Sequence, residues 1–277
     1  MALGDSLTEG VGDPAGDGCG AAGPRCSPTG LAEEPAGFTN LAVSGSQTRE
    51  VLERRLPAAL DPKPHLVSVV VGVNDTLRPT FDIHAVAARL DRVYAACTER
   101  GAGGGLLTAC LSDRGTMLGL PAALAHPLAR RQRAVNTVVH ALSERYEALH
   151  LHACEGDRTT DRALWSADGD RLYPGERGHR QLALRFHALL AERGLATGPA
   201  PSPEPEFPVP TASASLWWPA TADTGWVARG CTDLLPRMLT LAADELRHRA
   251  RGTSARLDLR ASAAVSAALS ATPTGQR

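Results

Sequence analysis

Two hydrophobic periods alternate along the chain. Leu66 to Val71 (LVSVVV) is an unbroken apolar, β-branched run, the pattern of a strand covered on both faces. Residues 82–100 switch to a helical period, with Val86, Leu90 and Val93 on one face and Gly101 as a stop. Residues 106–110 (LLTAC) read as the next strand, 127–147 as a long helix, and 149–153 (LHLHA) as another short strand. A further helix is predicted over 175–193, with Leu182, Phe186, Leu189 and Leu190 inward and Gly194 ending it. Strands and helices alternating at these lengths predict an α/β fold, a three-layer sandwich around a central parallel sheet.

The pattern then breaks. Residues 198–213 (GPAPSPEPEFPVPTAS) carry six prolines, the composition of an extended, semi-rigid spacer. Beyond it, Trp217, Trp218 and Trp226 precede an amphipathic stretch around 230–250 in which Leu234, Leu235, Met238, Leu239 and Leu246 share a stripe. Three units are therefore expected: an α/β domain over 1–195, a Pro-rich linker over 196–213 and a Trp-containing helical extension over 214–277. The extension is too short for much core of its own and is expected to pack on the main domain or a partner. Its end, rich in Ala, Ser and Thr, is expected to fray.

Composition narrows the classes. Hydrophobic residues at 43% supply a core, charged residues at 21% an ordinary surface, and the net charge is −1. Acids and bases are interspersed, so nothing predicts a nucleic-acid or anionic-membrane footprint. No apolar run reaches the roughly 18 residues of a membrane span, and MALGDSLTEG has no signal-peptide pattern, so the chain reads as cytoplasmic. The GDS chemistry begins four residues from Met1, so a misassigned start codon that hides the leading strand and an export signal stands as the alternative expectation. Six cysteines (Cys19, Cys26, Cys97, Cys110, Cys154, Cys231) show no CxxC pair and no metal-ligand spacing with histidine. Cys97 and Cys110 read as small buried hydrophobes. Cys19 and Cys26 lie in a Gly-rich loop, where they pair only if the protein is exported.

Four separated blocks carry candidate chemistry. Gly4-Asp5-Ser6-Leu7-Thr8-Glu9-Gly10 closes the first strand and puts a serine on the turn before a helix, at the carboxyl edge of the sheet. Asn40-Leu41-Ala42-Val43-Ser44-Gly45 places a glycine on a turn after a strand, where its N–H can face a developing oxyanion. Gly72-Val73-Asn74-Asp75 follows the LVSVVV strand directly, and its Asn side chain can donate into the same space. Asp75 reads equally as a loop holder and as an ordinary turn residue.

Together and in this order, the blocks resemble the SGNH/GDSL hydrolases over residues 1 to about 195. The resemblance implies a flavodoxin-like α/β fold and ester cleavage by acyl transfer through Ser6. The oxyanion hole it implies is built from the N–H groups of Ser6 and Gly45 and the side chain of Asn74. No metal or organic cofactor is implied, and the expected partner is a small-molecule ester. The GxSxG elbow of the α/β-hydrolases is absent.

The fourth block departs from the family. Where Asp-x-x-His-Pro is expected, the chain reads Asp170-Arg171-Leu172-Tyr173-Pro174, so Asp170 fits and Tyr173 stands at the position of the catalytic histidine. A phenol with a pKa near 10 is a poor acceptor for a serine proton at neutral pH. His179, about one and a half turns further on, reads more readily as a polar residue of the helix face than as a substitute base. His65, His84, His126, His140, His150, His152, His187 and His248 read as surface or strand-edge polar residues. Residues 13–37 also lack the amphipathic helix that continues the first block in the family. Tyr173 supports an alternative, a degenerate homologue that binds an acyl or glycan ligand without turnover. A third reading, an interaction protein using the Trp-containing tail, rests on residues 213–250.

Overall fold

A computed structural model describes residues 1–10, 37–100, 105–111, 120–153, 176–204 and 235–272, with backbone alone at Arg100 and 235–238. Four strands form one parallel sheet in the order β1 (Ala2–Gly4), β2 (Leu66–Val70), β3 (Gly105–Ala109) and β4 (Leu149–Leu151). Leu3 lies opposite Val69, Val67 opposite Leu106, and Leu107 opposite Leu149. A further segment runs parallel along the free edge of β1. There Ala2 N–H donates to Thr39 O (2.9 Å), Leu41 N–H to Ala2 O (2.9 Å) and Val43 N–H to Gly4 O (3.4 Å). With that segment counted second in the chain, the spatial order is the doubly wound 2-1-3-4-5. Its direction of winding reverses between β1 and β2, and in doubly wound sheets ligands bind beyond the carboxyl ends of the strands at such a switch point.

The helices follow the periodic stretches, with two differences. α5 (Ile83–Arg100) buries Val86, Leu90 and Val93 at 1% exposure each, as the period predicts. α6 (Ala122–Arg145) begins ahead of Pro127, which lies inside the helix and not at its start. α7 (Glu176–Glu192) buries Leu190, with Gly194 at φ +68° just beyond it. A helical stretch that the sequence reading left unassigned covers 48–60: α2 (Thr48–Glu50), a π-helical turn (Val51–Arg55) and α3 (Leu56–Leu60). Gln47 and Glu50 form a capping box at its start, and Val51, Leu56 and Ala59 are buried.

Adjacent strand residues point to opposite faces. Leu106 joins the main core with Val51, Val86, Leu90, Val135 and Val138 under α3, α5 and α6, whereas Leu107 joins a smaller cluster with Leu149, Leu190 and Ala196 under α7. The sheet is therefore covered on both faces. Residues 13–36 of the region lacking helical periodicity lie outside the described residues.

Two C-terminal helices, α8 (Leu235–Ala250) and α9 (Ser254–Ala271), pack against α6, and α9 also against α5. Val265 and Ala268 of α9 belong to the main core, so the Ala-rich end is an ordered helix and not a frayed tail. Alanine combines the highest helix propensity with a small side chain that lets α9 approach its neighbours closely. α8 turns differently from the expected stripe. Leu239 and Leu246 are exposed (57% and 53%), while Ala242 and Glu245 are buried. Arg130 of α6 explains the inversion, because it pairs with Glu245 (3.1 Å) and with Asp258 of α9 (2.8 Å). Trp217, Trp218 and Trp226 and the second half of the Pro-rich stretch lie outside the described residues. Among the described residues no helix is long and apolar enough to cross a membrane.

Candidate active site

The first block builds a short helix at the carboxyl end of β1. Asp5 is the N-cap of α1 (Ser6–Glu9), its carboxylate accepting from Leu7 N–H (3.2 Å), and Gly10 ends the helix at φ +91°. Ser6 is the first helical residue. It is 8% exposed, and neither its N–H nor its hydroxyl has a hydrogen-bond partner among the described residues. First-turn N–H groups have no intrahelical acceptor, so this one is available to a ligand. Gly4 is demanded by packing: a Cβ there would meet Thr8 Oγ1 at 2.2 Å and Val70 O at 2.5 Å.

The second block is fastened to the first. Asn40 donates to Thr8 O (2.8 Å) and accepts from Ala42 N–H (3.0 Å), while Glu9 accepts from Ser44 N–H (2.7 Å). Gly45 follows at φ +79°, a conformation that side chains rarely adopt, and an added Cβ would meet no atom within 4 Å. Its N–H, like that of Ser6, has no acceptor among the described residues.

The third block joins both. Asn74 of α4 (Val73–Thr76) is 8% exposed and donates from Nδ2 to Asp5 Oδ2 (3.3 Å) and to Ser46 O (3.2 Å). Both bonds are long for an amide donor. Asp75 is buried and accepts from the hydroxyl (2.7 Å) and N–H (3.0 Å) of Thr48, with Arg89 3.9 Å away. Its carboxyl is pushed above the usual carboxylate range by burial, which those hydrogen bonds and Arg89 offset in part. Between the two readings of Asp75, the geometry is that of a loop holder. Arg131 of α6 secures the far side by donating to Thr76 O (2.9 Å) and Arg78 O (3.0 Å).

The structure thus brings the turns of Ser6, Gly45 and Asn74 together at the switch point of the sheet, with Asn74 bonded to the neighbours of the other two, Asp5 and Ser46. Asp170 and Tyr173 lie outside the described residues. His179 is buried near the start of α7 at 9% exposure.

Sequence reading missed a second group of residues. His140 of α6, His150 of β4 and His152 just beyond it meet in edge-to-face ring contacts, with centroids 4.7–5.1 Å apart. Cys110, buried at the end of β3 and not in a disulfide, lies beside them. The alternation in LHLHA was a usable signal, because it puts His150 and His152 on one face; the approach of His140 is purely tertiary. Cys97 is fully buried, and burial raises its thiol to about 12, as suits a packing role.

Comparison with known proteins agrees with this fold. The model of the GDSL-like lipase/acylhydrolase family matches residues 2–181. Among solved structures, the chain is similar to the acetylxylan esterase Axe2 from Geobacillus stearothermophilus. The identity is 19% and the TM-score 0.54, over 68% of this chain and 92% of that one. It is also similar to an alpha/beta hydrolase, LAE5, from the metagenome of Lake Arreo, Spain. There the identity is 20% and the TM-score 0.52, over 69% and 93% of the two chains. No curated protein matches. The parallel doubly wound sheet, the ordered blocks around Ser6, Gly45 and Asn74, and the family match over most of the chain place this protein in the GDSL-like lipase/acylhydrolase family of ester-hydrolysing enzymes.

Proposed function

We propose that the protein is a serine esterase in which Ser6 is the nucleophile and the N–H groups of Ser6 and Gly45, with the Asn74 amide, stabilise the oxyanion. The observation that carries this reading is the pair of open N–H groups, one at the start of α1 and one on the φ +79° turn of Gly45. Attack of Ser6 Oγ on the ester carbonyl gives a tetrahedral oxyanion. Its collapse expels the alcohol and leaves an acyl-serine, which water hydrolyses. Donation by Asn74 to the oxyanion requires one of its long bonds, to Asp5 or to Ser46, to yield.

In this scheme Asp170 orients the residue at the base position, and that residue is Tyr173. The base of a Ser/His pair supplies about 10²–10⁴-fold, while an oxyanion hole acts without it. The expected enzyme is therefore slow and not inert. Tyr173 also favours a second reading, a homologue that binds an acylated ligand without turning it over. The neighbouring acetylxylan esterases make acetylated sugars the first natural substrates to try.

The test is hydrolysis of a short-chain aryl ester by the protein, by Tyr173→His and by Ser6→Ala. Slow turnover that Ser6→Ala abolishes and Tyr173→His raises about 10²-fold or more supports the esterase reading with a weakened base. Turnover equal in the first two and absent in Ser6→Ala supports the esterase reading with another base. Folded protein that is silent in every form, Tyr173→His included, overturns it in favour of binding.

A further inference from the structure

We infer that Cys110, His140 and His150 form a binding site for a divalent late transition-metal ion, zinc by ligand type, with the exposed His152 or a water completing four-coordination. The sheet pleat gathers the cluster. Thr108 of β3 and Cys110 just beyond it, with His150 of β4 and His152 just beyond it, alternate onto the face that α6 covers. α6 brings His140 and Ser143 down on them. One ligand atom each from Cys110, His140 and His150 lies within 4.8 Å of the others. Ligands of a tetrahedral zinc, at about 2.0–2.3 Å from the ion, stand about 3.3–3.8 Å apart. A contraction of about an ångström therefore closes the set around an ion.

A second observation points the same way. His150 Nδ1 is bonded to the buried hydroxyl of Thr108 (2.8 Å) and approached by that of Ser143 (3.3 Å), and these hydroxyls bond each other at 2.7 Å. The ring is thereby fixed in orientation, while its Nε2 is buried without a hydrogen-bond partner. Metal-binding histidines are held in this way, one ring nitrogen anchored by a polar neighbour and the other turned to the ion. One thiolate with two or three imidazoles suits zinc better than magnesium or calcium, which take oxygen ligands. His152, on the solvent side, gives an ion its way in. Binding converts the Cys110 thiol to a thiolate and releases its proton to solvent.

The test uses the full-length, tag-free protein after chelation and dialysis, titrated with zinc by calorimetry and with cobalt(II) by absorption. One equivalent of zinc is expected at micromolar affinity or tighter, on the order of a 1 μM dissociation constant. Cobalt should give the strong visible bands of a tetrahedral site with a sulfur-to-metal charge-transfer band. Cys110→Ser should remove that band, and Cys97→Ser should leave it intact. Thr108→Val, which keeps every ligand and loses the anchor of His150, should weaken binding about 10–100-fold. If the folded wild-type protein binds no stoichiometric zinc, or if Cys110→Ser and His150→Gln leave the cobalt spectrum and affinity unchanged, the inference is overturned.

Discussion

Thr48 gives both its hydroxyl and its backbone N–H to the carboxylate of Asp75, at 2.7 and 3.0 Å. Asp75 adjoins Asn74, and Thr48 stands three residues after Gly45, so this one buried contact fixes two separated turns against each other. Thr48→Val removes the hydroxyl and leaves a buried carboxylate oxygen short of a donor, which costs about 1–3 kcal/mol. Chemical denaturation should read that loss. Ester turnover should fall as well, because the Gly45 turn loses one of its two bonds to Asp75.

Two glycines of the site should fail for different reasons. Gly45 is constrained by its backbone, at φ +79° with open space around it. Gly45→Ala should cost about 1–2 kcal/mol in stability and lower kcat by shifting the open N–H. Gly4 is constrained by its neighbours, Thr8 Oγ1 and Val70 O, and Gly4→Ala forces backbone apart. A loss of about 1–3 kcal/mol is expected there, and Thr8→Ala should recover only part of it, since the Val70 carbonyl remains. Thermal melts of the three variants decide the point.

Arg130 neutralises Glu245, which is 2% exposed, and also reaches Asp258. Removing one partner of a buried pair costs more than the pair contributes, because a charge is left uncompensated. Arg249 Nε, 3.8 Å from Glu245 Oε1, offsets part of that charge, so Arg130→Met should destabilise the protein by less than the roughly 3–5 kcal/mol of a fully orphaned charge. Arg130→Met combined with Glu245→Leu should recover most of it, which a double-mutant cycle measures.

Burial, and then the charges of His140 and His152, push His150 down to about 4 from its ordinary 6.5. In the metal-free protein the unfolded chain therefore takes up a proton that the folded state refuses. Stability is complete above pH 6.5 and declines as the pH falls toward 4. Denaturant midpoints across that window should drop more steeply for the wild type than for His150→Gln. Equal slopes would place the acid sensitivity elsewhere.

The fold was legible because its elements are strongly periodic. LVSVVV has the length and β-branched content of a doubly covered strand, and Val86, Leu90 and Val93 have the spacing of a helix face. The helix at 48–60 escaped because it is broken into short pieces by a π turn and by Pro57, so no window carries a clean period. The stripe of α8 was misread because hydrophobicity was expected to decide its orientation, whereas an ion pair of Glu245 with Arg130 decides it. Ser6, Gly45 and Asn74 were legible as motif residues, each tied to a turn at a strand end. The role of Asp75 was not, since its partner lies 27 residues away in a segment with no motif. The histidine cluster needed three elements to meet, and spacing along one chain does not encode such a meeting.

The two C-terminal helices give the molecule different inherited and folding lengths. The family match stops at residue 181, yet Val265 and Ala268 sit in the main core, and Arg145 donates to the Thr272 hydroxyl at 2.8 Å. A fragment trimmed to the family's boundary would keep every motif of the candidate active site. It would also lay bare the outer flanks of α5 and α6, leave Arg130 without Glu245 and Asp258, and cut α7 short of Leu190. Such a trimmed chain would fail by aggregating, with the motif residues all present.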